Sequence, residues 1–304
     1  MTPRRAATGL AGVLLVDKPA GCTSHDVVAT IRRATGERRI GHAGTLDPMA
    51  TGLLLVLVGP AVRLVRYLAG CDKRYDARIT FGLVTDTLDA EGSVLTHAHV
   101  PEEVLDPAHA RDVLAGFLGP SSQVPPAYSA IKTAGVAAHR RARAGEDVAL
   151  DPRPIVVHEA RLTSIDASAP AWDVTFSVSK GTYIRALARD IGRAAHTEAH
   201  LSALRRTAIG SATVGQAHTL DAVVNAAHDG AVETLFADPA ALLGIPVREV
   251  APADVADGRA LPDDPTLPDG ARVACVTRDE LLAVYRRDQD VLRAETVFAT
   301  GVRR

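Results

Sequence analysis

The amino-acid sequence predicts an α+β protein, with one large domain of mixed strands and helices followed by a small β-rich one. Three observations predict it. A chain of 304 residues is long for one core and suits a large domain plus a small one. Strand-length apolar runs and stretches of helical spacing succeed one another without strict alternation, which argues against a doubly wound parallel sheet. Pro and Gly cluster over residues 252–270, and three short apolar runs between charged turns follow, at 273–276, 281–285 and 297–299. The large domain is expected over residues 1–245 and the small one over 246–304.

Taken in order, Val13-Leu14-Leu15-Val16 predicts a strand, ended by the turn Lys18-Pro19-Ala20-Gly21. Ser24 is expected to cap a helix whose apolar face is Val27, Val28, Ile31 and Ala34, with Gly36 as its stop. A Gly/Pro/Thr-rich loop over 41–51 leads to a buried strand at 53–58. Pro60 then opens a helix carrying Val62, Leu64, Val65 and Leu68. Tyr75, Ala77, Ile79 and Phe81 alternate with polar residues, the mark of a half-buried strand. An acidic turn over 85–92, a helix over 104–118, a loop over 121–126 and an Arg-rich polar excursion over 132–154 follow. Strands near 155–165 and 172–178 precede a helix over about 183–195.

Composition narrows the function classes. Hydrophobic residues make up 47% and charged residues 23%, which is ordinary globular usage. The longest apolar run is far short of the ~20 residues that a membrane helix needs. No apolar signal core follows Met1-Thr2-Pro3-Arg4-Arg5. Cys22, Cys71 and Cys275 are odd in number and contain no C-x-x-C pair, so neither a disulfide framework nor a cysteine zinc site is expected. A reducing, cytoplasmic setting fits. The formal charge is −2, but residues 1–78 carry 12 Lys/Arg against 6 Asp/Glu and residues 180–206 carry 6 against 2. Two basic segments of this kind form a cationic face if the fold unites them.

Several sites are set aside. His196 and His200 stand at i, i+4, but a zincin needs Glu directly after the first His, and here Glu198 is two places along. His97 and His99 read as ordinary surface or structural histidines. P-loop, dinucleotide and G-x-S-x-G signatures are absent from the sequence. The informative stretch is Gly41-His42-Ala43-Gly44-Thr45-Leu46-Asp47-Pro48-Met49-Ala50-Thr51-Gly52, which sets one carboxylate in a tight loop. On its own, Asp before Pro reads first as a simple turn. Lys73-Arg74-Tyr75 and Lys180-Gly181-Thr182-Tyr183-Ile184-Arg185 raise the other reading. A buried Arg keeps a lone carboxylate ionised, and an aromatic ring gives an extruded base a stacking face.

With Gly12 to Pro19, Ser24-His25-Asp26, the 41–52 stretch, Asp72 to Tyr75, Thr85 to Gly92, Gln123 to Lys132, Ser179 to Arg185 and Ala199 to Arg206 occurring in that order, the chain resembles the TruB-type tRNA pseudouridine synthases. The resemblance spans about the first two-thirds. The C-terminal region resembles, more weakly, a PUA-type RNA-binding module. The resemblance implies an α+β catalytic domain around a mixed, largely antiparallel sheet, with an RNA-gripping insertion near 132–154. It implies an isomerase that flips the uridine at position 55 in the tRNA T-loop out of its helix, cleaves its N-glycosidic bond and rejoins the base through carbon. No cofactor and no metal are implied. Asp47 would act at the ribose, by attack on C1′ or by taking the 2′ proton. Arg185 would pair with Asp47, and Tyr75 would stack on the uracil. Tyr183 and Leu204 would line the pocket, and His42 would fill the gap left in the RNA stack. Lys18, Lys132 and the arginines Arg140, Arg141 and Arg143 would contact phosphates. Ala137 and His139 stand where related sequences carry a basic residue and a tyrosine, and Ala43 replaces a more usual threonine. The partner would be the T-arm of tRNA, met by a monomer without guide RNA or membrane. Two rivals stand beside this reading: a guide-RNA-dependent synthase of the dyskerin type, and an RNA-binding protein that helps tRNA fold.

Overall fold

The computed structural model describes residues 8–129, 131–133, 136–146 and 148–304. The side chains of Lys132, Ala137 and His139 lie outside the described residues. The chain divides into two compact units, Met1–Cys71 with Ala208–Arg304, and Asp72–Thr207.

In chain order, the elements begin with β1 (Gly12–Lys18), α1 (Ser24–Thr35), β2 (Ile40–Ala43), β3 (Thr51–Val58) and a single turn, α2 (Val65–Leu68). Next come β4 (Lys73–Phe81), β5 (Leu83–Thr85), β6 (Val94–His97), α3 (Pro107–Ala115), β7 (Gly119–Gln123), β8 (Lys132–Thr133), β9 (Val136–Ala137) and α4 (Ala138–Arg143). They are followed by β10 (Arg153–Asp166), β11 (Ala171–Val178), α5 (Ile184–Ala194) and β12 (Ala199–Ile209). The last stretch holds β13 (Ala212–Thr213), β14 (His218–Thr219), α6 (Leu220–His228), β15 (Phe236–Ala237) and α7 (Pro239–Leu243). It ends with β16 (Val247–Glu249), α8 (Pro252–Val255), β17 (Leu261–Pro262), β18 (Arg272–Val276), β19 (Glu280–Asp288) and β20 (Val291–Arg303).

In the first unit β1 and β3 pair antiparallel, with Leu14 opposite Val56, and β2 pairs antiparallel with β3 on its other side. Side chains alternate across a strand, so this pair has two apolar faces. Val13, Leu15, Leu53, Leu55 and Leu57 pack with Ala274, Val276, Leu281, Phe298 and Val302 of the C-terminal sheet. Leu14, Val16, Leu54, Val56 and Val58 pack with Val27, Val28 and Ile31 of α1 and Val223 of α6. Coverage on both faces is why the 53–58 run is continuously apolar rather than alternating. The small C-terminal sheet runs β16-β18-β19-β20-β17 and is PUA-like, with its own core around Val255, Val273, Cys275, Tyr285 and Leu292.

In the second unit the strand order is β12-β4-β11-β10-β7, and β11 is antiparallel to both β4 and β10. Trp172 is fully buried, stacks edge-on against Phe81 at 4.7 Å and donates from Nε1 to the Val104 carbonyl at 2.7 Å. The architecture is α+β with a largely antiparallel sheet, as the sequence predicts.

Three local expectations are corrected. The cap of α1 is Thr23, not Ser24: Thr23 Oγ1 accepts from Asp26 N at 3.1 Å while the Asp26 carboxylate accepts from Thr23 N at 2.9 Å. The helix expected from Pro60 is 3-10 from Gly59 to Leu64 and α-helical only over Val65–Leu68. The single helix expected over 104–118 is split at Pro107, which cannot sit in a helix interior. Asp106 caps α3 instead, accepting from Ala108 N at 2.9 Å.

Candidate active site

The β2–β3 hairpin carries Asp47 in its connecting loop, where Gly44 takes φ 93° and Asp47 is half-buried. The segment joining β1 to α1 grips this loop through its backbone. Gly21 N donates to the Pro48 carbonyl at 3.0 Å. The Lys18 ammonium donates to the carbonyls of Cys22, Pro19 and Pro48 at 2.7, 2.8 and 3.2 Å. Ser24 Oγ accepts from Leu46 N at 2.9 Å and donates to Leu46 O at 3.2 Å. Within the loop, Ala50 N closes a turn onto Asp47 O at 3.1 Å. Lys18 is therefore corrected: at 0% exposure, with its ammonium on three carbonyls, it holds the loop and does not present itself to a phosphate. His42, on β2, is half-buried and meets His25 edge-on with ring centroids 5.4 Å apart.

The second unit holds Tyr75, Tyr183, Arg185 and Leu204. Tyr75 is buried on β4 opposite Phe176 of β11, and Leu204 is buried on β12. Tyr183 is the residue before α5. Gln123 holds its backbone at both ends, donating from Nε2 to Tyr183 O at 3.1 Å and accepting from Tyr183 N at 2.9 Å. That side chain does the work of an extra strand residue and orients the start of α5.

Arg185, in the first turn of α5, is 5% exposed. Its guanidinium donates to the carbonyls of Thr87 at 2.8 Å and Tyr128 at 3.0 Å, and its Nε lies 3.6 Å from the Asp89 carboxylate. Asp89 is 4% exposed and accepts from Thr87 Oγ1 at 2.6 Å and Glu91 N at 3.1 Å. A buried guanidinium needs such a counter-charge. The 85–92 turn that supplies it is laced to β12, with Leu201 N donating to Leu88 O at 3.0 Å and Ala90 N to Leu201 O at 3.1 Å. Leu88 adopts φ 63° there. Tyr128 adds a link, since its hydroxyl donates to Asp86 at 3.3 Å. Burial, with the neighbouring Asp86 carboxylate adding to it, pushes that phenol up from its ordinary value. His200, buried on β12, has its imidazole pushed down by burial.

The structure thus gathers His42, Lys18 and Asp47 in the first unit, and Tyr75, Tyr183, Arg185 and Leu204 in the second. Arg140, Arg141 and Arg143 lie on α4, with Arg141 ion-paired to Glu146 at 2.6 Å. Sequence reading missed Ser24 as a loop clamp, Gln123 and Asp89. The signal for Asp89 was available: a buried Arg requires an acid, and the 85–92 turn is acidic. His196 and His200 do not share a helical face, because α5 ends at Ala194, His196 takes φ 57° and His200 lies on β12. Among the described residues no cluster of three or more His, Cys, Asp or Glu could hold a metal, and no helix is long and apolar enough to cross a membrane.

Comparison with known proteins gives consistent matches. The family model described as TruB family pseudouridylate synthase (N terminal domain) matches residues 32–184, and that for the tRNA pseudouridylate synthase B C-terminal domain matches residues 185–242. A tRNA pseudouridine synthase B of Thermobifida fusca is 51% identical over 216 residues, covering 69% of this chain and 73% of its own. Its counterpart in Paenarthrobacter aurescens is 41% identical over 306 residues, covering 96% of each chain. A solved H/ACA RNP bound to a substrate RNA containing 2'-deoxyuridine gives a TM-score of 0.70 at 25% identity over 94% of this chain and 84% of that one. A Cbf5-Nop10-Gar1 complex gives 0.70 at 27% identity, over 95% and 85%. With models matching from residue 32 to residue 242 and a relative alike along nearly its whole length, this chain belongs to the TruB family of tRNA pseudouridine synthases, isomerases that modify tRNA.

Proposed function

We propose that this protein converts the uridine at position 55 in the T-loop of tRNA to pseudouridine, acting as a monomer in the cytoplasm without a guide RNA. The observation that carries the reading is the Asp47 loop, a half-buried carboxylate on a backbone fixed at the residue before it and the residue after it. A group that must meet a sugar carbon or its 2′ substituent needs that kind of fixed base.

The isomerisation balances within one nucleotide. The bond from C1′ to N1 breaks, the bond from C1′ to C5 forms, and the C5 proton is lost while N1 gains one. Nothing is oxidised or reduced, so no redox cofactor is called for. Asp47 acts at the ribose, and Arg185 is the cation that serves its charge. Tyr75 gives the uracil a stacking face, with Tyr183 and Leu204 as further pocket residues. Flipping a base out of a stack costs a few kcal/mol, which stacking and His42 in the vacated position offset. Lys132 and the α4 arginines meet phosphates. The stand-alone reading is favoured over the guide-dependent one by the comparisons: relatives called tRNA pseudouridine synthase B are 41–51% identical, against 25–27% for the solved H/ACA and Cbf5 structures.

Mapping pseudouridine in an unmodified tRNA transcript after incubation with the pure protein tests this. One modified site at position 55, reproduced on a bare T-arm hairpin, is expected. No product until a second RNA is added would overturn the guide-free reading. Affinity for the hairpin should fall steeply with salt, as phosphate contacts release counterions.

A further inference from the structure

Ser24 is fully buried, and its single hydroxyl serves both backbone groups of Leu46, the residue before Asp47. This is not helix capping, because Thr23 and Asp26 already cap α1 reciprocally. On the far side of Asp47, Gly21 N and Lys18 Nζ hold Pro48. The carboxylate-bearing residue is thus suspended between two anchored neighbours, and Ser24 alone among these holds the N-terminal side through a side chain. Leu46 is itself 3% exposed, so without the hydroxyl its N–H would have neither water nor this acceptor. The peptide unit would have to turn toward another partner and carry Asp47 with it.

We propose that Ser24 is a positioning residue for the isomerisation. Its hydroxyl fixes the peptide before Asp47 and so aims the carboxylate at the ribose, without touching the nucleotide. The inference rests on the reading of Asp47 as the catalytic carboxylate. Displacing a reacting group by about 1 Å costs on the order of 100-fold in rate, so the effect falls on turnover and not on RNA affinity.

The test compares Ser24→Ala, Ser24→Val and Ser24→Thr in the full chain, below each variant's melting midpoint. Single-turnover rate at saturating T-arm hairpin and direct binding of the same hairpin are measured. Ala and Val should lose about 10- to 100-fold in rate with affinity within about twofold. Thr matches Val in bulk but keeps the hydroxyl, and should recover most of the rate. Equal rates for Thr and Val, or wild-type rate for Ala, overturn the proposal. So does an equal loss of rate and affinity, which would mean that Ser24 only shapes an RNA-binding surface. Where the added methyl unfolds both branched variants, Ala against wild type decides alone. Asp47→Asn is the control for the underlying reading. Turnover in that variant removes Asp47 itself, whereas a dead Asp47→Asn beside a fast Ser24→Ala removes only the role of Ser24.

Discussion

Asp47 and Asp89, one in each compact unit, are held in opposite ways. Around Asp47 the hydrogen bonds described fall on backbone, on Leu46 through Ser24 and on Pro48 through Gly21 and Lys18. Around Asp89 they fall on the carboxylate itself, from Thr87 Oγ1 and Glu91 N, with Arg185 as counter-ion. Asp47 is half-buried and Asp89 buried. Fixing the backbone on both sides of an acid sets where its carboxylate sits, which suits a reactant. Saturating the oxygens with donors makes an acid a fixed negative charge, which suits the support of a buried cation. The difference fits the proposed roles, Asp47 as the reacting acid and Asp89 as the support of Arg185.

Asp47→Asn gives the largest expected effect and tests the first half of the comparison. The amide keeps size and shape but neither attacks nor takes a proton, so isomerisation should fall below detection while hairpin affinity changes within a few-fold. Measurable product from this variant would make Asp47 a structural acid like Asp89. Next in size are the two halves of the buried pair. Arg185→Ala takes the counter-ion from the buried Asp89 carboxylate, and Asp89→Asn takes a counter-charge from the buried guanidinium; each costs on the order of 3 kcal/mol in unfolding free energy. Both should lower turnover far more than affinity. Denaturant melts that match wild type would show that Asp89 is not what balances Arg185.

How much of this was legible depends on the range of the interactions. The α+β class, the strands around 53–58 and 75–81 and the helix beginning near Tyr183 follow from local apolar periodicity, and the structure has them. Asp47 and Arg185 could be singled out because ordered motifs surround them. The cap of α1 is not legible by residue type, because Ser24 and Thr23 are both competent caps. What decides between them is Leu46, 22 residues away, which takes the Ser24 hydroxyl. Lys18 departs from its expected place for a related reason. A lysine in a basic segment reads as an RNA contact, and only the folded turn brings three carbonyls to its ammonium. Asp89 looked like one acid among several in a turn, since its pairing with Arg185 spans 96 residues and appears only when α5 packs.

A smaller effect sharpens the second half of the comparison. Thr87→Val removes one hydroxyl from the Asp89 carboxylate and leaves the Thr87 carbonyl available to Arg185. A hydrogen bond to a charged group contributes about 1.5–3 kcal/mol, so the variant should lose less stability than Asp89→Asn. Combined with Asp89→Ala, which removes the acceptor altogether, it should add almost nothing to Asp89→Ala alone. Additive losses in chemical denaturation would mean that the threonine acts elsewhere than on that carboxylate.

The smallest effect expected concerns pH. His200 is buried on β12 beside Leu201, whose backbone holds the 85–92 turn, and burial lowers its imidazole from the ordinary value of 6.5. A base whose folded value lies below its unfolded one contributes fully above about 6.5, where both states are neutral. As pH falls below that, the unfolded chain binds the proton first and stability declines, until the folded imidazole protonates as well. The nearby Asp89 charge favours the imidazolium and moderates the decline. Melting midpoints of wild type and His200→Gln, followed downward from pH 7.5, should therefore diverge, with the wild type losing more per pH unit below about 6.5. The two proteins differ only at residue 200, so the difference isolates this histidine. Parallel curves would show that His200 carries no proton-linked strain, and that the turn bearing Asp89 is insensitive to the charge of its neighbour on β12.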